Sequence, residues 1–394
     1  MGRAMGMAGI SRREYRDRIE QVRQGLEARR LDGLMVYGDE YRKENLRYVS
    51  GFWPIFERGI CCIPAKGEPI LAGAPEGERY AREMGVWKDV RNLKELACVS
   101  VPEEIDYPLA EFSAFKEVLA DTVRGGKRLG LIGSRDIPAY LLKRIRCALQ
   151  GLEIAPCDDL LEELRLLKTP AEVECLREAG RLACVAYEKL MEACVPGNTE
   201  RYASGAGEGA ARMAGAEGIN FTVFASGPRT ATIIGRATNR VMKDGDMVMA
   251  AVAVQYEGYV ATVEYPFVVG EASDKQRRFL NVLLEAANEQ QKYLRDGVIS
   301  GEMVRAVKAV FRRHRVSRYD VYPPMHGIGL AEAESPYPDE GSTSPFRTGM
   351  CVNSDISLFG HPAGSNRIEE GFVIGQKGPE SLTPQIRELC TREL

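Results

Sequence analysis

Two rhythms of apolar residues run through the chain, one of about 3.6 residues that marks amphipathic helices and one of about 2 that marks half-buried strands. Tyr15, Ile19, Val22 and Leu26 keep the helical spacing through the polar stretch 11–30, with Ser11 as N-cap and Glu14 placed as in a capping box. Strands predicted at 31–36, 59–64, 69–72, 128–132 and 153–155 alternate with helices at 76–84, 108–123 and 137–149. Residues 45–51 read as a lead-in to 52–58. This mixed α/β pattern ends near residue 160. A long helical region follows over 162–194, restarted at Thr169-Pro170 by an N-cap and a proline at the first helical position. A turn at 196–200 leads into a further helix, then a strand at 220–225. The longest apolar run, 247–254, opens the stretch 245–270, which predicts a hairpin turning at Glu257-Gly258. Helices at 274–294 and 300–314 precede a strand-rich segment over 319–373. Helices followed by antiparallel strands predict an α+β second domain, giving domains 1–160 and 161–394.

Composition narrows the function classes. Net charge is −3, with 44% hydrophobic and 28% charged residues, and no basic stripe extends beyond short helix faces such as 312–315. Nucleic acid and membrane surfaces are therefore not the expected partners. No apolar run approaches the roughly 20 residues of a membrane span, and the start of the chain lacks a secretory pattern, so a cytoplasmic location is expected. Ten cysteines are scattered without a C-x-x-C pair, which predicts reduced, mostly buried thiols rather than a zinc site or disulfide framework. Only three histidines occur, His314, His326 and His361.

Inside the second strand of the 245–270 hairpin lies a single acid, Glu264, and a buried carboxylate needs a partner. Around it stand LRLLKTPAEVECLREAG (164–180), PGNTE (196–200), GYVATVEYPFVVG (258–270), HGIGLAEAESP (326–336), GMCVNSDI (349–356) and NRIEEGFVI (366–374), with NLRYVSGF (45–52) near the start. In this order and spacing they resemble the creatinase, aminopeptidase P and prolidase family. The resemblance implies a creatinase-type α/β N-terminal domain and a second domain of pita-bread fold. The family's peptidases hold two divalent ions with Asp, Asp, His, Glu and Glu. Laid on this chain, those positions fall on Ala251, Thr262, His326, Asp355 and Glu369. Two further family histidines fall on Ile234 and Ala333, the second leaving Glu334 beside it.

Alanine offers no lone pair to a metal, so the resemblance implies a site without the dinuclear centre and no cofactor, with a single divalent ion at His326, Asp355 and Glu369 as the alternative. Metal-free creatinase is the similar member, since Glu264 matches its GYxxxxE phrase and Phe56-Glu57-Arg58 resembles the pair that clamps a substrate carboxylate across a homodimer. Creatinase's own base is absent, because its position is Ile234. The expectation is a hydrolase of a C–N bond in a small nitrogenous compound, cationic and carboxylate-bearing, with His326, Glu264 and Glu369 as catalytic residues. Phe56, Arg58, Glu334, Asp355 and His361 are the expected substrate-binding residues. Glu264, Glu334, Asp355 and Glu369 are expected to converge on one cation, or Glu264 to pair with Arg229, Arg236 or Arg367. A non-catalytic ligand-binding protein and an atypical mononuclear peptidase or lyase are the competing readings.

Overall fold

The computed structural model describes residues 8–98 and 111–393, and these divide into two compact units, Ile10–Leu164 and Arg165–Leu394, with residues 8 and 9 joining the second.

In the first unit, β1 (Gly33–Asp39), β2 (Arg58–Pro64), β3 (Ile70–Gly73), β4 (Asp89–Asn92), β5 (Arg128–Ile132) and β6 (Glu153–Pro156) form a sheet in the order β4-β3-β2-β1-β5-β6. β1 runs antiparallel to β2 and parallel to β5, so the sheet is mixed. Helices α1 (Arg12–Arg29), α2 (Glu44–Ser50), α3 (Glu78–Met84), α4 (Phe115–Val123), α5 (Ala139–Ala148) and α6 (Asp159–Arg165) accompany it. Met35, Tyr37, Ile60, Leu119, Leu131 and Ile145 pack in its core. Ser11 caps α1 by accepting the Glu14 amide at 3.2 Å. The lead-in expected at 45–51 is instead a helix: Leu46 and Val49 are buried, and Gly51, at φ 74°, closes it with its N–H on the Arg47 carbonyl. Of the helix expected over 108–123, Phe115–Val123 is formed, and residues 108–110 lie outside the described residues.

The second unit opens with α7 (Pro170–Ala193), whose N-terminus is the expected one. Thr169 accepts the Glu172 amide and Glu172 reaches back to the Thr169 amide, with Pro170 at the first position. Helix α8 (Glu200–Met213) and β7 (Gly218–Ser226) lead to the hairpin of β8 (Met247–Tyr256) and β9 (Tyr259–Glu264). Glu257 and Gly258 both have positive φ, 49° and 88°, as a tight two-residue hairpin turn requires. β10 (Phe267–Val268) keeps the same register on β8 as β9 does, so it continues that strand past an interruption at Pro266, which has no amide to donate. Helices α9 (Asp274–Gln291) and α10 (Ser300–Arg313) precede β11 (Met325–Gly327), β12 (Cys351–His361), β13 (Gly364–Ile374), β14 (Pro379–Ser381) and α11 (Pro384–Glu393). The described strands form one sheet in the order β10-β8-β9-β13-β12-β11, with β7 also on β8 and β14 on β13. The two faces of β9 divide the labour. Tyr259 donates to Glu172 of α7 at 2.8 Å, whereas Thr262 and Glu264, on the opposite face, turn toward the residues described next.

Candidate active site

Strand register places Ala251, Glu264, Glu369 and Asp355 in one row, each opposing the next across β8, β9, β13 and β12. Opposed residues share a face, so three carboxylates stand side by side. On the β7 side the row turns apolar, with Val223, Ala225, Met249, Ala251 and Phe359 packed together. Arg367, two residues along β13 from Glu369, points to the same face. Its Nε lies 2.9 Å from Glu264 Oε2 and 3.1 Å from Glu369 Oε1, and its Nη1 lies 3.7 Å from Asp355 Oδ1. All four side chains are buried.

Three acids around one guanidinium leave surplus negative charge away from water, and proton affinity rises to meet it. Burial raises Glu264 to about 7, with Arg367 opposing the rise and Glu369 adding to it. Burial also pushes Asp355 well above the ordinary carboxylate range, against the pull of Arg367.

His326 on β11 opposes Asn353, two residues from Asp355. Its Nδ1 lies 3.0 Å from the Gly327 carbonyl, a contact satisfied when Nδ1 carries the proton and donates. The Nε2 lone pair is then left toward Glu332 Oε1, 3.8 Å away. Thr262 Oγ1 donates to the same Glu332 oxygen at 3.0 Å. Burial raises Glu332, as does Glu369, while His326 and Thr262 pull it down. His326, Glu332, Asp355, Arg367 and Glu369 all line a cavity of about 1190 Å³, walled further by α8, β7, residues 234–237, Tyr322 and Tyr337.

The expected convergence is thus met by Glu264, Asp355 and Glu369, and of the three candidate arginines Arg367 is the one that pairs with Glu264. Glu264 stands behind Arg367 and does not line the cavity. Glu334 corrects the expectation: it turns away and accepts from Lys168 Nζ at 2.7 Å and from Arg165, both buried. Burial alone would raise its carboxyl, but Arg165 and Lys168 outweigh that and hold it below its ordinary value. Its neighbour two residues earlier, Glu332, enters the cavity instead. The sequence signal was the pair of acids in AEAE, but family register favoured the second, and a turn outside any strand offers no periodicity to choose between them. His361 also departs from the expectation, stacking on Phe279 at 4.8 Å between ring centres and edge-on to Tyr319, away from the cavity lining. Phe56 and Arg58 belong to the other unit. Phe56 is half exposed at φ 40°, and Arg58 Nη1 donates to the Ala97 carbonyl at 2.9 Å and to Tyr140 Oη at 3.0 Å.

Residues 174–376, just over half the chain, match the model of metallopeptidase family M24, and residues 18–167 match the creatinase/prolidase N-terminal domain. The chain belongs to metallopeptidase family M24. It is 26% identical to the Xaa-Pro dipeptidase of Pyrococcus furiosus over 95% of this chain and 99% of that protein. It is 25% identical to the Xaa-Pro aminopeptidase of Escherichia coli over 58% of each. Among solved structures, the prolidase from Pyrococcus horikoshii superposes with a TM-score of 0.80 at 22% identity, covering 93% of this chain and 98% of that one. The X-Pro aminopeptidase from Thermotoga maritima gives 0.79 at 24%, covering 93% and 97%. The fold is the expected one, an α/β N-terminal domain followed by an α+β pita-bread domain, and M24 membership places the chain among hydrolases.

Membership overturns one expectation. The family is one of metallopeptidases, so a site with no cofactor does not follow from the resemblance. How this chain's own donors fit an ion pair is a matter of chemistry. The two aspartate positions of the hairpin hold Ala251, without a donor, and Thr262, whose hydroxyl is spent on Glu332. A guanidinium lies among Glu264, Asp355 and Glu369. Among the described residues no three His, Cys, Asp or Glu side chains are grouped as an ion would require. These residues do not fit two divalent ions bound in the family pattern. Nor do His326, Asp355 and Glu369 converge on one point, since the histidine faces Glu332 and the two acids face Arg367.

Proposed function

We propose that this M24 protein hydrolyses a C–N bond in a small nitrogenous compound bearing a carboxylate. Xaa-Pro dipeptides, the compounds for which its relatives are named, are the first class to try. The observation that carries this reading is the His326–Glu332 pair lining the cavity beside Arg367. In this reading His326 Nε2 takes a proton from water as its oxygen bonds to the carbonyl carbon. The C–N bond then breaks, and the proton passes to the departing nitrogen from His326, or from Glu332 when that acid is protonated. Arg367, fixed by its acids, offers positive charge to the oxygen on which negative charge develops. The substrate itself need carry no positive charge, because Arg367 supplies one cation and the raised proton affinity of Glu264 and Asp355 takes up the remaining charge.

A cytoplasmic homodimer belongs to the same reading, although Arg58, held by the Ala97 carbonyl and Tyr140, is not left free to clamp a substrate. Analytical ultracentrifugation at micromolar concentration tests it, and a monomer there removes that part. The test of the whole is turnover of a panel of Xaa-Pro dipeptides, N-acyl, ureido and guanidino acids, assayed with and without added Mn²⁺ or Co²⁺. Cleavage abolished in His326→Ala and strongly reduced in Glu332→Gln is the expected result. Cleavage that survives His326→Ala, or stabilisation by ligands with no product from any, would sink the hydrolytic assignment in favour of ligand binding alone.

A further inference from the structure

Helix α8 carries three glycines in alternation, Gly205, Gly207 and Gly209, and they are not equivalent. A Cβ on Gly207 would lie 2.7 Å from the Ala186 carbonyl oxygen and 3.0 Å from Leu190 Cβ, so close packing on α7 requires that glycine. Gly205 and Gly209 line the cavity, and a Cβ on either meets nothing within 4 Å. Each weakens a helix interior relative to alanine, and none of the described residues requires the loss. The bare wall they make is flanked on the same cavity by guanidinium groups. Arg212, on α8 itself, spends one nitrogen on the Glu217 carbonyl at 2.7 Å. Arg236, in the segment before β8, is exposed and lines the cavity, and among the described residues its side chain has no hydrogen-bond or ion-pair partner. The acid on the same wall, Glu208, accepts from Ser204 Oγ at 2.9 Å. Deeper in the cavity Glu369 is buried and its Oε2 has no hydrogen-bond partner among the described residues, so the enclosed end too is left with an unmet acceptor that a bound donor would satisfy.

We infer that the outer part of this cavity is a carboxylate subsite: Arg236 clamps the substrate's carboxylate, and Gly205 and Gly209 keep the helix wall clear for the group that bears it. Arg236 thereby takes the role first assigned to Arg58, whose guanidinium is occupied within its own unit. The inference rests on the hydrolytic reading for the identity of the substrate class, but its test needs only binding.

Calorimetric titration of Ala-Pro and of Ala-Pro amide into the full-length protein, with His326→Ala used if turnover interferes, provides the test. Arg236→Gln is expected to weaken Ala-Pro by about ten-fold or more, the scale of a lost charge-assisted contact. The amide should be unchanged, and Arg236→Lys should recover part of the loss. Gly209→Leu should weaken a bulky acid, Phe-Pro, more than Gly-Pro, in a protein that melts no lower than the parent. Equal weakening of acid and amide by Arg236→Gln, equal loss of both acids in Gly209→Leu, or no measurable binding of any probe would overturn the inference. Selective acid binding in a protein that turns nothing over would uphold it while refuting the hydrolytic reading.

Discussion

Glu334 offers a direct contest between two roles, a substrate contact or a structural lock. Replacing it by glutamine keeps the shape and removes the charge. In the native protein Lys168 Nζ and the Arg165 guanidinium both point at its carboxylate, and the three side chains are only 1%, 7% and 10% exposed for Lys168, Arg165 and Glu334. The variant leaves two cations buried with no anion between them. Losing one side of a buried ion pair costs about 3–5 kcal/mol, and for a unit of this size each kcal/mol is worth roughly 2–4 °C in Tm. A fall of roughly 6–20 °C is therefore expected in the calorimetric transition of the Arg165–Leu394 unit. The pH dependence has a definite sign. Glu334's folded value is lowered, so its stabilisation is present above the ordinary carboxylate value and fades as pH falls through the lowered one. Parent and variant should differ by a constant amount at neutral pH and converge only in acid. Replacing all three residues together, Glu334→Leu with Arg165→Met and Lys168→Met, should regain most of the loss, because a well-packed apolar trio does not need compensation. An unchanged Tm in Glu334→Gln, accompanied by a raised KM, would refute the lock and restore the substrate contact.

Three other outcomes are expected. Arg367→Met strands Glu264, Asp355 and Glu369 in the interior and should cost about 3–5 kcal/mol near pH 8. Because Glu264 already has a raised value, its stabilisation is complete below the ordinary carboxylate value and lost as pH rises through about 7, so the deficit should shrink at pH 5; Tm measured at both pH values checks this, and an equal deficit at both would refute it. Glu200, buried, accepts from the Ser226 and Thr238 amides, each at 2.9 Å, and from Arg229, holding the start of α8 to the 226–238 loop. Glu200→Gln should cost about 1–3 kcal/mol in urea unfolding, with the gap to the parent closing in acid, since hydrogen bonding holds this carboxyl low despite its burial. Gly258→Ala, at φ 88°, should cost about 1 kcal/mol in the same assay through strain in the hairpin turn.

How far the sequence could be read depended on whether a feature is local. The Thr169-Pro170 start of α7, the Ser11 cap and the Glu257-Gly258 turn are set by a few neighbouring residues, and each formed as its chemistry suggests. The strand reading of 245–270 put Glu264 inside, and family spacing put Asp355 and Glu369 with it. What one dimension withholds is direction at turns and choice among equivalent partners. Three arginines were equally good partners for Glu264 until strand register put Arg367 on the same face, two residues from Glu369. The 331–334 turn has no repeating geometry, so nothing local could tell that Glu332 enters the cavity while Glu334 faces Lys168. The lead-in at 45–51 became α2 because two apolar residues found a core, a tertiary fact invisible to a short window.

The lock at Glu334 also bears on how this protein can be recombined. Glu332 and Glu334 are carried by one short turn, one at the cavity and the other clamped by the segment that begins the pita-bread domain. A chimera joined to a relative anywhere between residues 169 and 325 would separate that turn from the basic residues that hold it. Such a hybrid would lose the placement of an acid facing the cavity without a single substitution among the residues that line it. Crossovers that keep 165–168 and 326–336 from the same parent should retain both stability and the geometry around His326.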